Sequence, residues 1–186
     1  KAGDFSGAFF QAGVAEFTMA CCCVGMALHG GVIPACGTFF VFSQYMLPVV
    51  RMAALMQLPV KFIWTHDAFR VGEDGPTHEP VEQEAQIRLM EKLKRHDGKN
   101  STLVLRPADA KETTVAWAMA MENMESPTAL IFSRQNINNL PEGNDYEQAR
   151  KGGYVVAGSD ANPDVVMVGE IRDSETAGLA VQAALT

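Results

Sequence analysis

The chain has 186 residues, 47% of them hydrophobic, and a formal net charge of -7. This length allows one good core and the start of a second domain. The acidic balance argues against nucleic-acid binding, because phosphate backbones demand a basic face and none is visible. The apolar run 17–28 has only about half of the ~20 residues that a membrane span requires, so no membrane association is expected.

Apolar runs and helical stretches alternate along the chain. In order, the patterns predict helix 11–28, strand 32–36, helix 42–56, strand 60–65, helix 81–95, strand 102–106, helix 110–123 and strand 128–133. This rhythm predicts an α/β fold, a parallel, doubly wound sheet with helices on both faces. Asp109 is the predicted N-cap of the fourth helix, and Glu112 completes a capping box.

Beyond residue 140 the sequence becomes polar and glycine-containing, and it has little to bury. We therefore predict a first domain over residues 1–141, a linker over 142–153 and the incomplete start of another domain over 154–186. A strand over 165–168 and a helix over 174–185 are expected in that last part.

A polar loop, THDAFRVGEDGPTHEP, follows the buried strand 60–64 and covers residues 65–80. Ligand sites collect at the ends of strands in α/β sheets. His66, Asp74 and His78 can hydrogen-bond hydroxyls and phosphates in several protonation states. The loop is therefore the best candidate for a substrate site, and the alternative is a polar loop held by salt links.

Three further features can carry chemistry. Glu16 lies within an apolar helical stretch, where a carboxylate is costly unless it is paired or functional, although a solvated helix position is an equal alternative. Phe39, Phe42 and Tyr45 recur every three residues, as an ordinary core stripe or as an aromatic pocket. Arg134 follows the strand 128–133, where it can grip a phosphate or form a structural ion pair.

The motifs GEDGPTHEP, GTFFVFSQY and SRQN resemble those of transketolase, and the similarity extends from Gly13 to about Pro141. This region is similar to the pyrimidine-binding domain of that family, which transfers two-carbon ketol units between sugar phosphates with thiamine diphosphate. The resemblance implies that Glu16 hydrogen-bonds the ring nitrogen of the cofactor's aminopyrimidine. The neighbours of this glutamate differ from the Arg-Glu-His of many transketolases, since here they are Ala15 and Phe17.

The resemblance also implies roles for the other candidates. Phe39, Phe42 and Tyr45 would enclose the aminopyrimidine ring. His66 would contact the phosphate side of the substrate channel and Asp74 a substrate hydroxyl, while His78 would lie near the reacting carbonyl as a catalytic residue. Arg134 would bind the sugar phosphate.

The family's diphosphate-binding domain, which holds Mg²⁺ and the cofactor's diphosphate, has no counterpart in this sequence, and the chain starts at Lys1 without methionine. We therefore expect a fragment of a cytoplasmic, homodimeric transketolase that is inactive alone. Cys21, Cys22, Cys23 and Cys36 fit neither a disulfide framework nor a zinc site, and they agree with a reducing compartment.

Other assignments remain open. Dihydroxyacetone synthase and deoxyxylulose-phosphate synthase are thiamine-diphosphate enzymes that share the glutamate and the loop architecture. Residues 169–186 resemble the Walker B region of type II secretion and type IV pilus ATPases, with Glu170 at the catalytic position. Since the sequence has no phosphate-binding loop, ATP hydrolysis is not expected. The segment is either part of a transketolase carboxyl-terminal domain or an unrelated junction, and the chain could also be a noncatalytic module linked to such an ATPase.

Overall fold

A computed structural model describes residues 7–69, 74–140, 145–159 and 162–168, with the backbone alone for 157–159 and 162–168. The regular elements of the first 140 residues are α1 Glu16–His29, β1 Ala35–Phe39, α2 Leu47–Leu55, β2 Lys61–Thr65, α3 Gln83–Lys92, β3 Leu103–Leu105, α4 Ala110–Glu122 and β4 Thr128–Ile131. A 3₁₀ helix, Phe40–Tyr45, lies between β1 and α2. They are followed by a second 3₁₀ helix, Tyr146–Lys151, and two strands, β5 Gly153–Ser159 and β6 Asn162–Val168.

Strands β1 to β4 form one parallel sheet in the order β1-β2-β4-β3. Helices α1, α2 and α3 pack against one face, which includes Phe62 and Trp64. Helix α4 packs against the other face, which includes Ile63 and Leu130. The predicted α/β fold with helices on both faces is therefore confirmed.

The strands are apolar on both faces because helices cover both sides of the sheet. All four residues of β4 are buried, and Phe62 and Trp64 in β2 are fully buried. Each large side chain of this kind contributes about 1.5–3 kcal/mol when it is removed from water. The buried central strands therefore form a rigid base, and the loops at their carboxyl ends project from it.

Several element bounds differ from the predicted ones, and the differences at α1 and α2 have local reasons. Helix α1 begins at Glu16 rather than at residue 11, because Gly13 has a left-handed backbone (φ 72°) that a continuous helix does not allow. The predicted helix 42–56 is divided into a 3₁₀ helix and α2, with Pro48 in the first turn of α2.

Strand β1 covers Ala35–Phe39 rather than 32–36, since the glycines at 30 and 31 have positive φ and the pairing with β2 starts at Ala35.

The predicted cap of α4 is present. Asp109 Oδ1 accepts a hydrogen bond from the Glu112 N–H at 2.8 Å. The Glu112 carboxylate reaches back one residue further than in a standard capping box and accepts from the Ala108 N–H at 2.7 Å. Leu140 N–H donates to Asp109 Oδ2, so the cap also fixes the chain that leaves the sheet.

The segment after residue 144 contacts α4. Arg150 pairs with Glu122 at 2.8 Å, and the Tyr154 hydroxyl donates to the Glu112 carboxylate at 2.7 Å. Strands β5 and β6 form an antiparallel pair, and β6 contains the predicted strand 165–168.

The domain boundaries at 141 and 153 stay a prediction. The helix predicted over 174–185 lies outside the described residues. Among the helices that are described, none combines the length and the apolar character needed to cross a membrane.

Candidate functional site

The 3₁₀ helix after β1 sorts its side chains into two stripes. A 3₁₀ helix has three residues per turn, so residues three apart lie on the same side. One stripe is buried and consists of Phe40, Ser43 and Met46. The other is partly exposed and consists of Phe39, Phe42 and Tyr45. The aromatic stripe therefore lies outside the core and is partly exposed to solvent.

The three rings of this aromatic stripe run parallel to one another. The centroids of Phe39 and Phe42 are 6.3 Å apart with an interplanar angle of 17°, and those of Phe42 and Tyr45 are 6.2 Å apart at 24°. Tyr45, at the end of the stripe, is 55% exposed. Parallel, partly exposed rings offer an apolar surface against which a planar ligand can pack.

Glu16 is half-buried and is the first residue of α1. Its Oε1 accepts a hydrogen bond from Thr38 Oγ1 at 3.3 Å. Because Thr38 lies at the end of β1, this bond ties the carboxylate to the strand that leads into the aromatic stripe. The amino-terminal end of a helix also favours a negative charge. Among the described residues, no other group donates a hydrogen bond to the Glu16 carboxylate or forms an ion pair with it.

His66 extends the aromatic surface on the side of β2. Its ring stacks on Phe39, with centroids 3.6 Å apart and an interplanar angle of 16°. The backbone of His66 is left-handed (φ 60°), which is costly for a residue other than glycine. Thr65 Oγ1 and His66 Nδ1 are hydrogen-bonded at 2.9 Å, which orients the ring.

Asp67 holds the turn that carries His66. Its N–H donates to the Phe132 carbonyl, and its buried carboxylate accepts from the Phe69 N–H at 3.0 Å. Arg106, at the end of β3, donates to Asp67 Oδ2 through Nε at 3.0 Å and Nη2 at 2.7 Å. These contacts stabilise the strained backbone of His66, so the ring position is set by several elements together.

His78 approaches the same surface from the other end of the polar loop. Its ring meets Phe42 edge-on, with centroids 5.3 Å apart and an angle of 79°, and it lies 6.2 Å from Phe39. The His78 N–H donates to the carbonyl of Gly75, which has a left-handed backbone (φ 76°) as the turn requires. Both predicted loop histidines therefore contact the aromatic stripe.

Asp74 and Arg134, both predicted to bind substrate, pair with each other. Arg134 Nε lies 3.1 Å from Asp74 Oδ2, and the two side chains are 30% and 26% exposed. Asp74 Oδ2 has no aligned hydrogen bond among the described residues, so the contact is an ion pair without hydrogen-bond geometry. The structure thus places the two charged groups together at the carboxyl ends of the strands.

Sequence reasoning missed three residues of this region: Thr38, Asp67 and Arg106. Thr38 lies in the motif GTFFVFSQY and Asp67 in the polar loop 65–80, where the aromatic residues and the histidines are the predicted site residues. Arg106 carries a signal similar to that of Arg134, a cation at the end of a strand. Their contribution is visible only through tertiary contacts.

A cavity of about 500 Å³ lies beside α4 and the end of β3, away from Glu16 and the aromatic stripe. Arg88, Arg106 and Leu105 line it together with Glu112 and Tyr154. Burial, together with the hydrogen bond to Glu112, raises the pKa of Tyr154. Within the described ranges, no group of three or more histidine, cysteine or acidic side chains is arranged to hold a metal ion.

A parallel α/β sheet that carries a carboxylate, flat aromatic rings and two histidines at its carboxyl edge defines a domain suited to a planar ligand. Residues 1–139 match the family model described as transketolase, pyrimidine binding domain, and the chain belongs to this family. The resemblance found in the sequence is therefore confirmed for this part of the chain.

Known relatives agree with this assignment. A transketolase of Bacillus subtilis is 45% identical over 183 residues, which cover 97% of this chain and 26% of the relative. A transketolase of Halalkalibacterium halodurans is 47% identical over 167 residues, covering 89% and 24%. The chain thus spans about a quarter of the length of the curated relatives that it matches.

Solved structures give the same result. A transketolase from Leishmania mexicana superposes with a TM-score of 0.69 at 40% identity and covers 80% of this chain and 21% of that one. A structure described as a split-gene transketolase in an inactive beta4 tetramer has a TM-score of 0.59 at 26% identity, with 78% and 43% coverage.

Residues 160–186 match a second model, type II/IV secretion system protein. The alignment with the Bacillus subtilis transketolase leaves out only 3% of the chain, so it also extends into this segment. The origin of residues 169–186, which lie outside the described residues, stays open.

Proposed function

We propose that the chain forms part of a transketolase and holds the aminopyrimidine end of thiamine diphosphate together with a sugar phosphate. The observation that carries the proposal is the hydrogen bond from Thr38 to Glu16, which ties a carboxylate to the end of β1, the strand that leads into the aromatic stripe. The 45% identity to a transketolase of Bacillus subtilis supports the assignment.

The described residues fit the pyrimidine end of this cofactor. The Glu16 carboxylate has one oxygen engaged by Thr38, and the other can share a proton with a ring nitrogen. Phe42 and its neighbours offer ring faces against which the pyrimidine can stack. When bound, thiamine diphosphate supplies the nucleophilic thiazolium carbon. Mg²⁺ and the diphosphate belong to the diphosphate-binding domain, outside this sequence.

The substrate contacts follow from the groups at the carboxyl edge of the sheet. His66 and His78 offer ring nitrogens next to the aromatic stripe, where they can hydrogen-bond a sugar carbonyl or hydroxyl. Arg134 has 30% of its side chain exposed, so its fork can bind a phosphate while Nε stays near Asp74. Asp74, held in this way, can accept a hydrogen bond from a substrate hydroxyl.

The exposed face of α1 supports the proposed homodimer. The stretch from residue 17 to residue 28 has no charged side chain, and Phe17 and Leu28 on its exposed side are 53% and 59% exposed. Apolar faces of this kind mark interaction sites.

The four cysteines of the chain are free thiols, which agrees with a reducing cytoplasm.

The chain should be inactive alone, because the diphosphate-binding domain has to come from elsewhere. The test uses a hybrid enzyme in which this chain replaces the aligned segment of the Bacillus subtilis transketolase. We expect ketol transfer by the hybrid enzyme with thiamine diphosphate and Mg²⁺, and none by the isolated chain. Turnover by the isolated chain, without added protein, would refute this division of roles.

The role of Glu16 is tested in the same hybrid enzyme. Glu16→Gln keeps the shape of the side chain but removes the proton acceptor, so kcat should fall at least about a hundredfold. Glu122→Gln is the matched control, since this carboxylate is 64% exposed on α4. Equal losses in both variants would show that Glu16 has no special role.

The alternatives make different predictions. Dihydroxyacetone synthase or deoxyxylulose-phosphate synthase would show another preference among donors and acceptors in the hybrid enzyme. A noncatalytic module linked to a secretion ATPase is favoured only by the match over residues 160–186. The flanking coding sequence distinguishes an enzyme from the noncatalytic module. A diphosphate-binding domain encoded upstream supports the enzyme, and a Walker A motif encoded upstream supports the ATPase connection.

A further inference from the structure

We propose that Thr38 is a positioning residue that fixes the Glu16 carboxylate, and this inference rests on the proposed function of Glu16. Thr38 Oγ1 donates to Glu16 Oε1 at 3.3 Å across 22 residues of sequence. The bond connects β1 to the first turn of α1, which are separate elements. Thr38 itself has no role in the motif-based assignment of the site.

Glu16 needs an external constraint because its surroundings provide few. It is the first residue of α1, and the preceding residue, Ala15, provides no side-chain cap. The neighbouring Val14 is 98% exposed and Phe17 is 53% exposed, so neither packs tightly around the carboxylate. A glutamate side chain left in this state samples several rotamers. The hydrogen bond from Thr38 selects among them.

Thr38 is suited to this task because its own position is fixed. It pairs with Trp64 in the parallel register of β1 and β2, and Trp64 is fully buried. A β-branched side chain in a strand has a restricted χ1 angle. At the preceding Gly37, a Cβ atom would lie 3.1 Å from the Ile63 carbonyl oxygen, so the two strands approach closely there.

The same strand also sets the aromatic stripe, because Phe39 follows Thr38 directly. Carboxylate and ring surface are therefore held relative to one rigid element. A threonine hydroxyl has a single proton, and donating it to Oε1 leaves Oε2 for a ligand's ring nitrogen. Thr38 thus leaves one oxygen of the carboxylate for the pyrimidine.

The direct test follows the Glu16 side chain in the full chain by NMR, through its side-chain scalar couplings. We expect one dominant rotamer in wild type and in Thr38→Ser, which keeps the hydroxyl. Thr38→Val keeps the shape and the branching but loses the donor, so the couplings should average. Thr114→Val, the same change on the exposed side of α4, should leave Glu16 unchanged.

The functional test uses the hybrid enzyme. Thr38→Val should lower kcat about tenfold, with KM for the sugar phosphate nearly unchanged, and Thr38→Ser should restore kcat. A purely structural role would instead lower the stability of the valine and serine variants alike. If the hybrid enzyme shows no Glu16-dependent activity, the proposed function fails, and the NMR couplings still decide the role of Thr38. Unaveraged couplings or a wild-type kcat in Thr38→Val would overturn the inference.

Discussion

Lys61 provides a prediction whose magnitude can be worked out from the structure. It is the first residue of β2, is 1% exposed and donates through Nζ to the Asn123 carbonyl at 2.7 Å. No carboxylate pairs with it among the described residues. Burial therefore lowers the pKa of Lys61 from 10.5 to about 8. We propose Lys61→Met as the perturbation, because methionine has a similar length and no charge.

The pKa shift of Lys61 makes stability depend on pH. Between about pH 8 and pH 10.5 the unfolded chain binds the proton and the folded chain does not, so stability rises with pH in this window. Below pH 8 Lys61 is protonated in both states, so the full free-energy cost of burying its charge is present. The difference between a pKa of 10.5 in the unfolded chain and about 8 in the folded chain corresponds to a free energy of about 3 kcal/mol.

Urea unfolding of wild type and Lys61→Met at pH 7 and pH 10.5 measures this effect. The wild type should gain about 3 kcal/mol relative to the methionine variant between the two pH values. Comparing the two proteins cancels the titration of cysteines and tyrosines, which both contain. A free-energy difference between the proteins that is the same at both pH values would refute the reasoning.

Three further predictions concern the candidate site. Asp67→Asn weakens the ion pair between the buried Asp67 carboxylate and the partly exposed Arg106, and should lower the free energy of unfolding by about 2 kcal/mol, measured by urea unfolding. Phe42→Leu removes a ring face and should raise the KM of the hybrid enzyme for thiamine diphosphate about tenfold, with kcat less affected. Arg134→Ala should raise KM for phosphorylated sugars about a hundredfold and spare nonphosphorylated acceptors, while the exposed Arg51→Ala changes neither.

Each of these predictions has an outcome that contradicts it. Unfolding of Asp67→Asn at wild-type urea concentrations would mean that Arg106 does not hold the loop. An unchanged cofactor KM in Phe42→Leu would remove the stripe from the cofactor site. Equal losses with phosphorylated and nonphosphorylated acceptors in Arg134→Ala would show that Arg134 does not bind the phosphate.

The fold could be predicted from the sequence because the strands and helices are each marked by their own residues. The continuous apolar run before Thr65 is typical of a strand covered on both faces, and it became the buried β2. Asp109 and Glu112 marked the start of α4 to the residue. Signals of this kind involve only a few neighbouring residues, so they can be recognised in the sequence without the structure.

The 3₁₀ helix was missed although its spacing was visible. Phe39, Phe42 and Tyr45 recur every three residues, which is the period of a 3₁₀ helix, whereas an α-helix places residues three and four apart on one face. The spacing itself predicts a core stripe or an aromatic pocket, and the predicted α-helix starts at Phe42, within the 3₁₀ helix. The second stripe, which includes the buried Phe40 and Met46, shows the same period.

Long-range pairings could not be predicted in the same way. The ion pair of Asp74 and Arg134 joins residues sixty positions apart, and it depends on the neighbouring ends of β2 and β4. The buried Lys61 donates its hydrogen bond to the carbonyl of Asn123, which lies at the end of α4. No local pattern reports such contacts, because the partners meet only in the folded sheet.

The most direct test of the account is a crystal structure of the hybrid enzyme with thiamine diphosphate bound. We predict that Glu16 Oε2 lies about 2.7–3.1 Å from a ring nitrogen of the aminopyrimidine, with the ring stacked on Phe42. A pyrimidine ring bound elsewhere, with Glu16 in contact with solvent, would contradict the account.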